Sequence, residues 1–363
     1  MTIAAIFCIG TGHDHSEDAN VLVKLHSACT LRDLGVEGNH TKDKTDTARI
    51  STTSIPTASN GGWTWLNEGQ NNISGGMKAQ SSANADLVEA LPSLPEHVIL
   101  VGHSRGAICC LRIAAELQKR LKGKSPKCHI FLYDPVKRQR QGTDWYNRTI
   151  HANVQNLKII AMEDEDKMEL NVKAFKLMAV KRGANGIEID EGNYLRLPGT
   201  HGTATQVMGF PIGQVGYMLA IEFLNSLGGA KVPNAAAMDL SNEAFCLQYY
   251  KINGVNPIIN GKRMVNDVIG KNVTSMTPTS SKPHTLGNRN EVLNKLAGVN
   301  PYQGSGFFIN RDHASRFCAA YPALGPHLTG AGVLDTAPVK RDLKKLKMRD
   351  PNCYKAAKKL AAL

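Results

Sequence analysis

The chain reads as an α/β protein with a mostly parallel central sheet. Short, continuous apolar runs recur at Ile3–Ile9, Val98–Val101, Cys128–Tyr133 and Leu157–Met162, as strands buried on both faces do. Helix-like runs at Asn20–His26, Ala107–Leu117 and Val215–Leu227 are interleaved with them. Glycines and polar residues gather where the apolar runs end, as they do at Gly10-Thr11-Gly12 and Asp134-Pro135. Strands that alternate with helices imply a parallel sheet covered on both faces.

Taken in order, Ile3–Ile9 is a first buried strand that ends at Gly10-Thr11-Gly12. The cluster His13, Asp14, His15 and Asp18 follows, too tightly spaced in one loop to close a metal site, so no metal is expected. Val36 to Gln80 is rich in Gly, Asn, Thr and Ser and reads as a long ordered loop near the site, with Trp63 and Trp65 its large aromatics. Ala83–Leu91 is a short helix, and Pro95–Gly102 leads into Gly102-His103-Ser104-Arg105-Gly106. That GxSxG pattern stands between an apolar strand and a helix, the context of a nucleophile elbow. The serine there sits on a strained turn, and its flanking glycines remove side chains that would clash. A serine that merely caps the helix is the alternative.

The helix Ala107–Leu117 is apolar apart from Arg112 and Glu116, as expected for burial under the sheet. Lys119, Arg120 and Lys122 suit its carboxyl-terminal dipole, and Gly123 is the expected cap. Beyond it lie strands Cys128–Tyr133 and Leu157–Met162, the latter running into Glu163-Asp164-Glu165-Asp166. Gly186–Ile189 and Tyr194–Leu197 read as a hairpin that delivers Pro198-Gly199-Thr200-His201-Gly202. Val215–Leu227 is the last core helix. The expected division is a catalytic domain over 1–230 and an appended region over 231–363, mainly helical with long loops, acting as a small domain or a cap.

Bulk properties narrow the class. A chain of 363 residues exceeds an α/β core of roughly 200–250 residues, which leaves the appended region. Hydrophobic content is 42% and no stretch approaches the roughly 20 apolar residues that span a bilayer. Met1–Gly10 is too short and lacks a cationic start, so it reads as a strand and not as a signal peptide. The eight cysteines show no CxxC or Cys/His metal spacing and read as small core residues in a reducing compartment. The net charge of +12 is concentrated in the tail, where nine Lys/Arg against Asp342 and Asp350 give +7 from Lys340 onward. Val339, Leu343 and Leu346 are spaced i, i+4, i+7 among these cations. The pattern fits a solvated terminal helix packing one narrow stripe, or a helix seeking anionic lipid, and Pro351 interrupts either. Aromatics make up 6% of the chain and none interleaves with the run Lys340–Arg349, so a nucleic-acid partner is not expected.

A serine hydroxyl becomes a good nucleophile only when a histidine takes its proton. That histidine needs a carboxylate to hold its tautomer and stabilise its cation. In α/β hydrolases the chain order is Ser, Asp/Glu, His. Ser104 is the candidate nucleophile and His201 the candidate base, while His151 is a second choice and His129 reads as a core residue of its strand. The acid is either Asp134, which closes the strand after the elbow helix, or Asp164, which closes the next. One oxyanion donor is the backbone N–H of Arg105, and Thr11 and Gly12 supply the candidate second. No cofactor is required.

These segments together resemble the α/β-hydrolase superfamily that includes the bacterial type VI secretion phospholipase effectors and their uncharacterised relatives. The matching segments begin with Ile9-Gly10-Thr11-Gly12, with Asn20-Val21 after it, and Gly102-His103-Ser104-Arg105-Gly106-Ala107. Leu132-Tyr133-Asp134-Pro135-Val136, Ala161-Met162-Glu163-Asp164-Glu165 and Pro198-Gly199-Thr200-His201 follow, so the resemblance covers about 3–228. It implies that Asp134 is the acid. It also implies a lipolytic esterase, a phospholipase delivered to another cell after synthesis in the bacterial cytoplasm, with no cleaved signal peptide. Two positions depart from the pattern: Ile9 stands where an aspartate is usual, and Asp166 where an arginine is usual. Three functions fit these residues: an esterase of lipids or phospholipids, a soluble esterase or thioesterase with no lipid role, and a binding protein that keeps the fold without catalysis.

Overall fold

The computed structural model describes residues 2–10, 20–33, 62–67, 76–138, 150–162, 175–177, 194–197, 201–205, 211–227, 258–259 and 262–263. Its centre is a seven-stranded sheet of β1 Ile3–Cys8, β2 Arg32–Asp33, β3 Gly62–Asn67, β4 His97–His103, β5 Lys127–Tyr133, β7 Val154–Met162 and β9 Tyr194–Leu197. The strands lie in the order β2-β3-β1-β4-β5-β7-β9. Every neighbouring pair in it is parallel. Two short antiparallel pairs lie outside the sheet: β6 Val136–Arg138 with β8 Phe175–Leu177, and β10 Ile258–Ile259 with β11 Lys262–Arg263. The helices are α1 Val21–Ala28, α2 Gly76–Ala90, α3 Arg105–Leu121 and α4 Pro211–Ser226. The architecture is α/β, and among the described residues no helix is long and apolar enough to cross a membrane.

Because side chains alternate across a strand, each face of the sheet collects its own core. Ala4, Ile6 and Cys8 of β1 join Val98, Leu100, Ile130, Leu132, Ile159 and Ala161 in one cluster with Leu87, Val88 and Leu91 at α2 and with α3. On the other face Phe7 meets His26 of α1 edge-on at 5.7 Å, and Phe131 meets Phe223 of α4 at 5.5 Å. Each such aliphatic or aromatic side chain contributes roughly 1.5–3 kcal/mol on burial. Buried Tyr133 ties this second layer down, its hydroxyl donating to Gly216 O of α4 at 2.7 Å. Cys8, Cys109, Cys110 and Cys128 are buried, and burial pushes the Cys128 thiol up to about 12.

Several element boundaries differ from the sequence reading. Residues 36–80 are not one long loop, because Gly62–Asn67 is a strand of the sheet and α2 starts at Gly76. A Cβ on Gly62 would lie 2.2 Å from Ile3 O, so a glycine that reads as loop is what lets β3 approach β1. Trp65 is 1% exposed and its Nε1–H donates to Asn84 Oδ1 of α2 at 2.8 Å, so that tryptophan belongs to the core. The positive φ after α3 falls on Lys122 (48°), whereas Gly123 stands in open space as part of a 3-10 turn over Lys122–Lys124. Tyr194–Leu197 pairs in parallel with β7, and its expected hairpin partner Gly186–Ile189 lies outside the described residues. The cluster from His13 to Asp18 and the basic tail lie outside them too, as does all of 231–363 except β10 and β11.

A histidine pair crosses the amino end of the sheet. Asn156 Nδ2 lies 3.0 Å from His129 Nδ1, and His129 Nε2 lies 2.8 Å from His97 Nδ1. An amide nitrogen only donates, so His129 accepts at Nδ1, carries its proton on Nε2 and donates to His97. Burial, reinforced by the charges of His97 and Lys127, lowers the His129 pKa to about 4. An unfolded histidine titrates near 6.5, so between roughly pH 6.5 and pH 4 the unfolded chain binds a proton that the fold refuses. Stability therefore falls as pH drops through that window. Thermal unfolding followed from pH 7 to pH 4 is expected to show Tm decreasing, and His129→Gln, which cannot take the proton, to flatten that decrease.

Candidate active site

The chain leaves β1 for β2 and β3 on one side of the sheet, then returns to β4, β5, β7 and β9 on the other. β1 and β4 thus flank a topological switch point, and in open α/β sheets the crevice at the carboxyl ends there is where ligands bind. Gly10 and Ser104 meet in that crevice: a Cβ on Gly10 would lie 3.1 Å from Ser104 Cβ.

Ser104 stands between β4 and α3 with φ 58° and ψ −122°, a backbone strained for any side chain by ~1–3 kcal/mol. Its side chain makes no capping bond to α3, which sets aside the reading of Ser104 as a helix cap. The glycines around it are required by close approach. A Cβ on Gly102 would meet Cys110 Sγ and Gly106 O at 2.7 Å, and one on Gly106 would meet Cys8 O at 2.2 Å. α3 therefore starts hard against the end of β1. Arg105, its first residue, is 9% exposed.

The backbone ladder runs on past the strand ends and lines up the next components. Ser104 N–H donates to Tyr133 O at 3.0 Å, and Asp134 N–H donates to Ile160 O at 2.7 Å. Asp134 is fully buried with φ 41°, a left-handed conformation that aspartate tolerates better than most residues. Its Oδ1 accepts the Met162 N–H at 2.9 Å, leaving Oδ2 for His201 Nδ1 at 2.6 Å. His201 Nε2 lies 2.9 Å from Ser104 Oγ. An ionised carboxylate only accepts, so His201 carries its proton on Nδ1 and turns the Nε2 lone pair to the serine hydroxyl, which donates to it.

Residues far apart in the chain are thus joined carboxylate to imidazole to hydroxyl, and all are buried, at 0%, 7% and 4% exposure. His201 opens the short 3-10 turn Gly202–Thr205, which packs on α4. Among the described residues Ser104, Lys122 and Asp134 are the non-glycine residues with positive φ, and His201 links two of them. Thr11, Gly12 and the alternative acid Asp164 lie outside the described residues. His151 is half-buried before β7, its pKa lowered by burial, and His129 sits at the opposite end of the sheet. No group of three or more His, Cys, Asp or Glu that could hold a metal is present among the described residues. Two features of the site are legible only in the structure. The Met162 amide, which donates to the second carboxylate oxygen of Asp134, has no signature in a sequence. Nor does the stacking of the His103 ring on His201, at a centroid distance of 4.7 Å.

No protein-family model and no curated protein matches the chain. Solved structures do. The lin2722 gene product of Listeria innocua is similar over 62% of this chain and 94% of that one, at 14% identity and a TM-score of 0.34. The Tle1 effector bound to the VgrG spike of the type 6 secretion system is similar over 56% and 51%, at 12% identity and a TM-score of 0.30. A cutinase-like protein from Cryptococcus sp. is similar over 63% and 96%, at 15% identity and a TM-score of 0.29. Likeness this distant carries no functional argument.

Gly106 in the first turn of α3 and Gly123 in the 3-10 turn beyond it make a paired test of the elbow. Gly106→Ala drives a methyl into the Cys8 carbonyl and is expected to destabilise by about 2–3 kcal/mol or more. Gly123→Ala meets nothing within 4 Å and is expected to stay within about 0.5 kcal/mol of the parent. Chemical denaturation of both variants measures the contrast.

Proposed function

We propose that this protein is a serine hydrolase of the α/β-hydrolase kind, cleaving carboxylic ester bonds of lipids or phospholipids through an acyl-enzyme. One observation carries the reading: an unbroken chain from the buried Asp134 carboxylate through His201 to the hydroxyl of a strained, uncapped Ser104. A serine that only caps a helix needs neither a histidine at 2.9 Å nor a carboxylate behind it.

In this reading the Ser104 hydroxyl proton passes to His201 Nε2 as Oγ attacks the ester carbonyl. Asp134 keeps the imidazole in the useful tautomer and stabilises the imidazolium. The negative charge that develops on the carbonyl oxygen is taken by the backbone N–H of Arg105, in the first turn of α3, where the helix dipole also favours an anion. The candidate for the second donor is the segment Gly10-Thr11-Gly12, since Gly10 lies against Ser104. The tetrahedral species collapses, the leaving alcohol takes the proton from Nε2, and the acyl group remains on Oγ. Water, deprotonated by the same nitrogen, then releases the acid. The lipid assignment draws on the sequence resemblance, with 231–363 as a cap whose basic tail suits an anionic membrane surface.

Labelling by a fluorophosphonate probe tests the chemistry, with phospholipid release assayed in parallel. Wild type is expected to label, Ser104→Ala and His201→Ala to lose labelling, and Asp134→Asn to lower kcat by about three to four orders of magnitude. Release of fatty acid from anionic vesicles supports the lipid reading. Turnover of short-chain esters alone, with no gain at the lipid surface, moves the assignment to a soluble esterase or thioesterase. A folded wild type that does not label moves the assignment to a binding protein that keeps the fold without catalysis.

A further inference from the structure

Resting on the hydrolase reading above, we propose that His103 is a positioning residue for His201, holding the imidazole against tilt while its nitrogens exchange partners. His201 is held at Nδ1 by Asp134 and at Nε2 by Ser104. Hydrogen bonds at imidazole nitrogens are directed along the ring plane. They resist sliding of the ring but do little against its rotation about the line joining the two nitrogens. A wall against the ring face stops that rotation, and His103 supplies one: the two rings are stacked at 4.7 Å with 29° between their planes.

The wall is itself confined. His103 is the last residue of β4, in register with Tyr133 of β5, and is 2% exposed. A Cβ on Gly10 would lie 2.7 Å from His103 Nδ1 and 3.3 Å from its Cε1, so the end of β1 closes on one edge of the ring. The absence of a side chain on Gly10 is what admits an aromatic ring at position 103. The second half of the reaction needs this support most. In the acyl-enzyme Ser104 Oγ is bonded to the acyl carbon and has no proton to offer Nε2, so one of the two tethers is gone. The ring must still present Nε2 to the incoming water, and Asp134 and His103 remain to orient it.

The test compares His103→Phe with His103→Leu in the full chain. Leucine fills much of the space without a flat ring, whereas phenylalanine keeps the ring and loses the nitrogens. His103→Leu is expected to lower kcat on a short-chain ester and the fluorophosphonate labelling rate about tenfold with KM unchanged, and His103→Phe to recover most of that loss. In proton NMR the downfield resonance of the His201 Nδ1 proton is expected to broaden in His103→Leu and to persist in His103→Phe. Wild-type rates and an unaltered resonance in His103→Leu overturn the proposal, as does a His103→Phe variant as slow as His103→Leu. Should His103→Leu fail to fold, His103→Phe decides alone, a large loss of rate in the folded variant overturning the role. If wild type itself does not label, the hydrolase reading fails. The resonance then still decides whether His103 orders His201.

Discussion

Adjacent parallel strands that end at one level bring the residues just beyond them side by side, and the site depends on this register. Two backbone bonds extend the ladder beyond β4 and β5, from Ser104 to Tyr133 and from Asp134 to Ile160. Each fixes the residue that leaves its strand, so the serine turn and the aspartate turn are held by the sheet itself. The carboxylate is then gripped once more by the Met162 amide at the end of β7. Consecutive strand ends thus contribute a hydroxyl, a carboxylate and an amide on a common edge. One residue of slip in any pairing would turn these groups to the wrong face.

Such an edge is costly to build. Ser104 and Asp134 both sit at positive φ, and a carboxylate, an imidazole and a hydroxyl are all taken from water. Each buried polar group is tolerable only because it is hydrogen-bonded. The strain is held by what lies beneath it. α3 is buried at every position from Arg105 to Ala115, in contact with β1, β4 and β5. Its far end is pinned to α2 by Arg120, which meets Asp86, Glu89 and Ser82. Exposed ion pairs contribute little individually, so the apolar core carries most of this load.

The two ends of the sheet treat histidine differently. At the amino end His129 is buried between another histidine and an amide, and burial lowers its pKa and keeps it neutral. At the carboxyl end His201 has an acid at Nδ1 and a hydroxyl at Nε2. A ring that is to accept a proton needs a partner that stabilises its cation, and only the second arrangement provides one.

Much of this was determined by the sequence alone. Continuous apolar runs are legible as strands because burial on both faces leaves no polar alternation, and the strand–GxSxG–helix order is legible because glycine and serine there answer a local steric demand. β3 was not legible: six residues between polar, glycine-rich flanks carry too weak a pattern, and Gly62 looks like loop until Ile3 is seen against it. Glycine favours positive φ, so the sequence predicts Gly123 as the cap, yet the turn places that conformation on Lys122. Ser104 and His201 could be named from their places in the chain, and Asp134 only as one of two candidate acids. Choosing Asp134 over Asp164 needed a resemblance, because both close a strand and spacing along the chain does not separate them. The distances of 2.6 and 2.9 Å that join the three, the Met162 amide and the His103 stack were decided only by the tertiary structure. They depend on strand order and register, which arise from long-range pairing and leave no mark on any single segment.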